Sequence, residues 1–130
     1  MTAEIARSDA HDELTQRIIG AAIEVHRHLG PGLLERTYER ALCVELTSAA
    51  LAYTRQHRVP VSYKGMVVGN YCADLVIENT VVVEIKSVEK LAGVHQAQLL
   101  AYMRVLKLPT GLLINFYGEV LRTGVRRLSI

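Results

Sequence analysis

Leu14, Ile18, Ala21, Ala22, Val25 and Leu29 recur at helical spacing, and Gly30-Pro31 stops the pattern. The spacing predicts an amphipathic helix over residues 12–29. A second helix is expected to begin at 32–34 and run to about 50, with Leu34, Tyr38, Ala41, Leu42 and Leu46 as its inward stripe and Arg36, Glu39, Arg40 and Thr47 mostly away from it. After Leu51 the period shifts toward two. Val59, Val61 and Tyr63 lead to a Lys64-Gly65 turn, and Met66 to Ile77 reads as the returning strand of a hairpin. Val81 to Lys86 is a further strand, 88–106 a third helix, and 110–116 and 120–128 two closing strands around Tyr117-Gly118. The order ααβββαββ predicts an α/β fold, α+β by stricter accounting, with a central mixed sheet flanked by helices.

Two of these strands carry charge where the pattern asks for core. In Val81-Val82-Val83-Glu84-Ile85-Lys86, side chains alternate between faces, so Glu84 and Lys86 share one wall. Asp74 is the lone acid in Tyr71-Cys72-Ala73-Asp74-Leu75-Val76-Ile77. The length of the connecting loop decides whether the two acids meet. A two-residue loop at Glu78-Asn79 pairs Asp74 with Val83 and separates the acids, whereas a three-residue loop over 78–80, or an equivalent bulge, pairs Asp74 with Glu84.

Composition narrows the possibilities. The chain has 130 residues, half of them hydrophobic, with no Trp and one Phe, which suits a single domain with an aliphatic core over 1–130 and a flexible N-terminal segment at 1–10. A net charge of +2 permits contact with polyanions without the dense basic signature of a dedicated nucleic-acid binder. Cys43 and Cys72 stand apart in apolar segments and are expected to be reduced and buried. No run is long enough for a membrane helix and no secretory signal is evident, so the expected location is cytoplasmic, with no membrane partner.

Asp74, Glu84 and Lys86 form a D, nine residues, E-x-K pattern on consecutive strands. Two carboxylates on one wall repel unless a cation separates them, and hard oxygen ligands beside an ammonium suit Mg²⁺ or Mn²⁺. Such an ion, with Lys86 beside it, points to phosphodiester hydrolysis. The competing reading makes Glu84 and Lys86 edge-strand charges that discourage aggregation, with Asp74 solvated on an open face. Glu35 shares the inward stripe with Tyr38 and Leu42, and His95, Gln98 and Tyr102 form a polar line on the third helix, opposite Ala97, Leu100 and Ala101.

These residues carry a resemblance. Gly32-Leu33-Leu34-Glu35-Arg36-Thr37-Tyr38 matches the signature of the GxxExxY protein family, and the chain resembles that family over nearly its whole length, through Gln56 to Pro60, Tyr63-Lys64-Gly65, Ala73-Asp74-Leu75, Glu84-Ile85-Lys86, His95 to Tyr102 and Gly111 to Phe116. That family is placed in the PD-(D/E)XK nuclease superfamily, which implies a restriction-endonuclease-like core and metal-dependent cleavage of DNA or RNA. The resemblance makes Asp74 and Glu84 metal ligands with the Ile85 carbonyl as a third, Lys86 the catalytic lysine, and Glu35 the helical acid that completes the site. Gln98 and Tyr102, similar to a QxxxY element, would orient phosphate, water or the lysine; His95 and Gln96 are weaker candidates. The superfamily's nominal Pro-Asp is Ala73-Asp74 here, a departure at a residue that coordinates nothing. The alternative function is a nucleic-acid or protein-binding module with little or no catalysis. A homodimer is the expected assembly because it is the commonest closed one.

Overall fold

A computed structural model describes the backbone of residues 2–130 and the side chains of residues 13–130. The flexible segment expected at 1–10 lies outside the residues described in full. The elements are α1 (Thr2–Leu29), α2 (Glu35–Ser48), β1 (Tyr53–Tyr63), β2 (Met66–Ile77), β3 (Val81–Lys86), α3 (Gly93–Leu106), β4 (Thr110–Asn115), one 3-10 turn (Leu121–Gly124) and β5 (Val125–Ser129). The expected order is therefore present. The five strands form one mixed sheet in the order β1-β2-β3-β4-β5, with β3 and β4 parallel and every other neighbouring pair antiparallel.

Alternation along the central strands divides the core between two faces. Val81, Val83 and Ile85 of β3, with Leu112 and Ile114 of β4, pack beneath α1 and α2 against Ile18, Ala22, Tyr38, Leu42 and Leu46. Val82 and Leu113 face the other way, onto Leu99, Tyr102 and Met103 of α3. Burial on both faces explains why β3 and β4 read as nearly continuous apolar runs. Close approach of α3 depends on Gly111, where a Cβ would lie 2.5 Å from the Met103 sulfur.

Several expectations need correction. The third helix begins at Gly93, not at 88, because residues 87–92 pass from the sheet to the helix as loop. The last strand is shorter than 120–128, its first part being the 3-10 turn. Leu34 is 78% exposed rather than inward, because it precedes the first turn of α2, while Glu39 is buried. On α3, Ala97 and Ala101 are exposed and Leu99, Tyr102 and Met103 form the buried side. Cys43 is buried as expected, but Cys72 is exposed. Among the described residues no helix is long and apolar enough to cross a membrane.

Candidate active site

The loop between β2 and β3 has the length that brings the acids together. Pairing begins at Ile77↔Val81 and continues through Leu75↔Val83, leaving 78–80 as a three-residue loop in which Glu78 and Asn79 hold φ of +53° and +49°. The next position along this register sets Asp74 opposite Glu84. There the ladder stops and the side chains take over. The Asp74 N–H donates to Glu84 Oε2 (2.7 Å), and the Ile85 N–H donates to Asp74 Oδ2 (2.8 Å). Each acid thus satisfies a backbone donor of the opposing strand, and both carboxylates are fixed in the gap where the strands part. Because β3 is the middle strand of the sheet, the edge-strand explanation of Glu84 and Lys86 is overturned.

The other side of β2 is irregular at the same place. Pairing with β1 runs from Arg55↔Leu75 to His57↔Ala73 but omits Gln56 opposite Asp74, and Gln56 adopts φ +48°. Its amide nitrogen donates to Asp74 Oδ1 (3.3 Å) and to Glu39 Oε1 (2.9 Å), while Arg55 Nε donates to Glu39 Oε2 (2.7 Å). Glu39, expected to lie away from the core, is only 4% exposed. Its two oxygens each have a donor, which is what makes burial of that charge tolerable. Sequence reasoning missed this group. The available signal was spacing: Glu39 is four residues after Glu35, so one helix side presents both acids toward the sheet.

Electrostatics follow from burial and crowding. Burial, and then the charge of Asp74, push Glu84 up to about 8. Asp74 is also raised, first by burial and then by Glu39, against the opposing pull of the Ile85 N–H, Gln56 and Lys86. Half-buried Lys86 favours ionisation of both acids. The donor set suits a small hard cation: a buried carboxylate on Glu84 and a half-buried one on Asp74, both with ionisation penalised, gain most from a divalent ion. Among the described residues, no three His, Cys, Asp or Glu side chains converge as a metal cluster. Glu35 does not join the two strand acids directly. Its Oε2 accepts from the Ser87 N–H (2.9 Å), one residue beyond Lys86, and so ties α2 to the end of β3.

The α3 candidates divide. Tyr102 is buried, and its hydroxyl is pushed up by burial and then by the charges of Glu84 and Asp74, so it lies within electrostatic reach of both. Gln98 is exposed and lines a cleft with Tyr102, Tyr71, Val61, Ala101 and Val105. His95 starts the helix: its Nδ1 accepts from the Ala92 N–H (3.0 Å), which leaves the ring proton on Nε2. Gln96 is half-buried in the same turn. Residues 12–128 match the family model of the PD-(D/E)XK nuclease superfamily. No curated protein and no solved structure gives a significant match.

Proposed function

Since the chain belongs to the PD-(D/E)XK nuclease superfamily, whose members generally use divalent metal ions, we propose that it is a Mg²⁺- or Mn²⁺-dependent nuclease of the GxxExxY type that hydrolyses phosphodiester bonds of DNA or RNA. The observation that carries this reading is the reciprocal pair of bonds between Asp74 and Glu84 across parted strands, with Lys86 two residues beyond. Asp74, Glu84 and the Ile85 carbonyl would hold the ion, and Glu35 completes the acidic surround from α2. The cation, when bound, supplies Lewis acidity toward a phosphoryl oxygen.

The chain's own groups do the rest. Bonds from the Ile85 and Asp74 N–H groups fix the carboxylates before substrate arrives, so little reorganisation is needed. Lys86 places positive charge where negative charge grows on the phosphate as water's oxygen bonds to phosphorus, the phosphorus–ester oxygen bond breaks, and the proton that water gives up passes through solvent to the departing oxygen. Gln98 and Tyr102 contact the phosphate or the attacking water from α3. Glu35 restrains the backbone just after Lys86 through Ser87. A homodimer belongs to the same reading, supported by the stretch of β2 from Met66 to Ala73, which carries no charge and, among the described residues, pairs with β3 nowhere before Leu75.

Labelled single- and double-stranded DNA and RNA, incubated with Mg²⁺, Mn²⁺ or EDTA, test the proposal. Cleavage should require the ion and fall by about 100-fold or more in Glu84→Ala and Lys86→Ala. Activity that survives both substitutions, or no cleavage of any polymer by the parent, defeats it.

A further inference from the structure

We propose that Gln56 is a positioning residue for Asp74, held in place by the Glu39–Arg55 ion pair, and that its unusual backbone conformation is kept for the sake of its side chain. The inference rests on the metal-site reading above. Gln56 sits inside a strand at φ +48°, a left-handed conformation that costs a residue with a Cβ on the order of 1 kcal/mol and that glycine adopts freely. Nothing in strand pairing requires a glutamine there, since the ladder skips this position. What the side chain gains is a bridge: one amide nitrogen, with two hydrogens to give, lies 2.9 Å from Glu39 Oε1 and 3.3 Å from Asp74 Oδ1.

The consequence for Asp74 is orientation. Its Oδ2 is held by the Ile85 N–H, and Gln56 holds Oδ1, so the carboxylate plane is fixed at both oxygens. Each oxygen keeps a second lone pair for a cation. Glu39 in turn fixes the amide, because it is only 4% exposed and Arg55 Nε holds its other oxygen at 2.7 Å, although Arg55 and Gln56 themselves reach the surface. The order of support runs from Arg55 to Glu39, to Gln56, to Asp74. Groups that orient metal ligands in this way contribute strongly to affinity.

The test compares the parent chain with Gln56→Met, which keeps side-chain bulk without the donor, and Gln56→Gly, which relieves the backbone but removes the bridge. Mn²⁺ titration by calorimetry should show affinity lower by about tenfold in both. Melting in EDTA should place Gln56→Gly above Gln56→Met, because both variants leave Glu39 Oε1 without its donor and only glycine relieves the left-handed backbone. Combining Gln56→Met with Glu39→Gln should weaken Mn²⁺ binding no further than Gln56→Met alone, as expected of residues acting in series. Parental affinity in both single variants overturns the inference while leaving the metal site standing. A parent that binds no Mn²⁺ removes both.

Discussion

Glu84 shows how far one residue's environment can be pushed before it demands a function. With an ordinary value of 4.5 raised to about 8, its carboxyl holds a proton more tightly in the folded chain than in the unfolded one. The stability this provides is fully present below 4.5 and is lost as the pH rises through about 8. The loss amounts to about 1.4 kcal/mol per pH unit within that window for a single group. Asp74 is raised in the same direction, so the titration belongs to the pair. In EDTA, Glu84→Gln should therefore raise the melting temperature at pH 9 and change it little at pH 5, since the amide oxygen can still accept from the Asp74 N–H. Thermal melts across that range check it; an equal shift at both pH values would mean that ionised Glu84 is not the destabilising species. The sequence left two loop lengths open and tied a meeting of these acids to the longer one or an equivalent bulge, and the three-residue loop is the one present. The contact with Gln56 was not legible there, because strand alternation does not foresee a left-handed residue in mid-strand.

At the scale of elements, the Gly32-to-Tyr38 signature separates into one residue, Glu35, that ties α2 to the end of β3 and one, Tyr38, that builds the frame. Tyr38 is fully buried, stacks on Phe116 with ring centroids 4.4 Å apart, and donates its hydroxyl proton to the Gly30 carbonyl (2.5 Å) while accepting from the Leu33 N–H (3.1 Å). It closes the loop that carries Gly30 and Gly32 at φ of +69° and +105° and aims the first turn of α2, where Glu35 reaches Ser87. Tyr38→Phe should cost about 1 kcal/mol in chemical denaturation, by removing the hydroxyl's bonds to the partly buried Gly30 carbonyl and Leu33 N–H. Any effect on cleavage should be smaller than that of Glu35→Ala. Periodicity located α2 and its stripe through Tyr38, Leu42 and Leu46, yet set Glu39 outside it. The reason is physical: a hydrophobic stripe counts apolar residues, and an acid paired with Arg55 and hydrogen-bonded by Gln56 packs where an apolar one would. Likewise, the sequence between β3 and α3 continues apolar enough to resemble helix, but residues 87–92 are tied to the strands instead. Asn115 accepts from the Val88 N–H and donates to the Val88 carbonyl.

Across the whole molecule, the β1–β2 hairpin is longer than the sheet that supports it. The two strands pair from Tyr53↔Ile77 to Tyr63↔Met66, but β3 supports β2 only from Leu75 to Ile77. Among the described residues no strand therefore pairs with the inner edge of β2 before Asp74, and from Met66 to Ala73 that stretch contains neither a charge nor a proline. The outer edge of β1 is different, being protected by Arg55, Arg58 and Pro60. Val68 forms a bulge between the pairs Val61↔Gly69 and Ser62↔Val67, which leaves 69–73 in regular pairing with β1. Tyr63, Met66, Val67, Val68 and Tyr71 are each between 50% and 69% exposed. At about 100 Å² apiece, two copies could cover roughly 1,000 Å², near the lower bound for a specific interface. An uncharged edge can face its own copy without repulsion, and a twofold pairing of β2 strands would satisfy the same backbone groups on both sides. Sedimentation of the parent at micromolar concentration should give a dimer, and Val67→Lys with Val68→Lys should give a folded monomer. A bifunctional thiol reagent should join the parent through exposed Cys72, since Cys43 is buried. Persistence of the dimer in the double variant would place the interface elsewhere, and a monomeric parent would leave this edge to some other strand or to the substrate. Cleavage by that monomer would show the active site to be complete in one chain, as the origin of Glu35, Gln56, Asp74, Glu84 and Lys86 in a single fold requires.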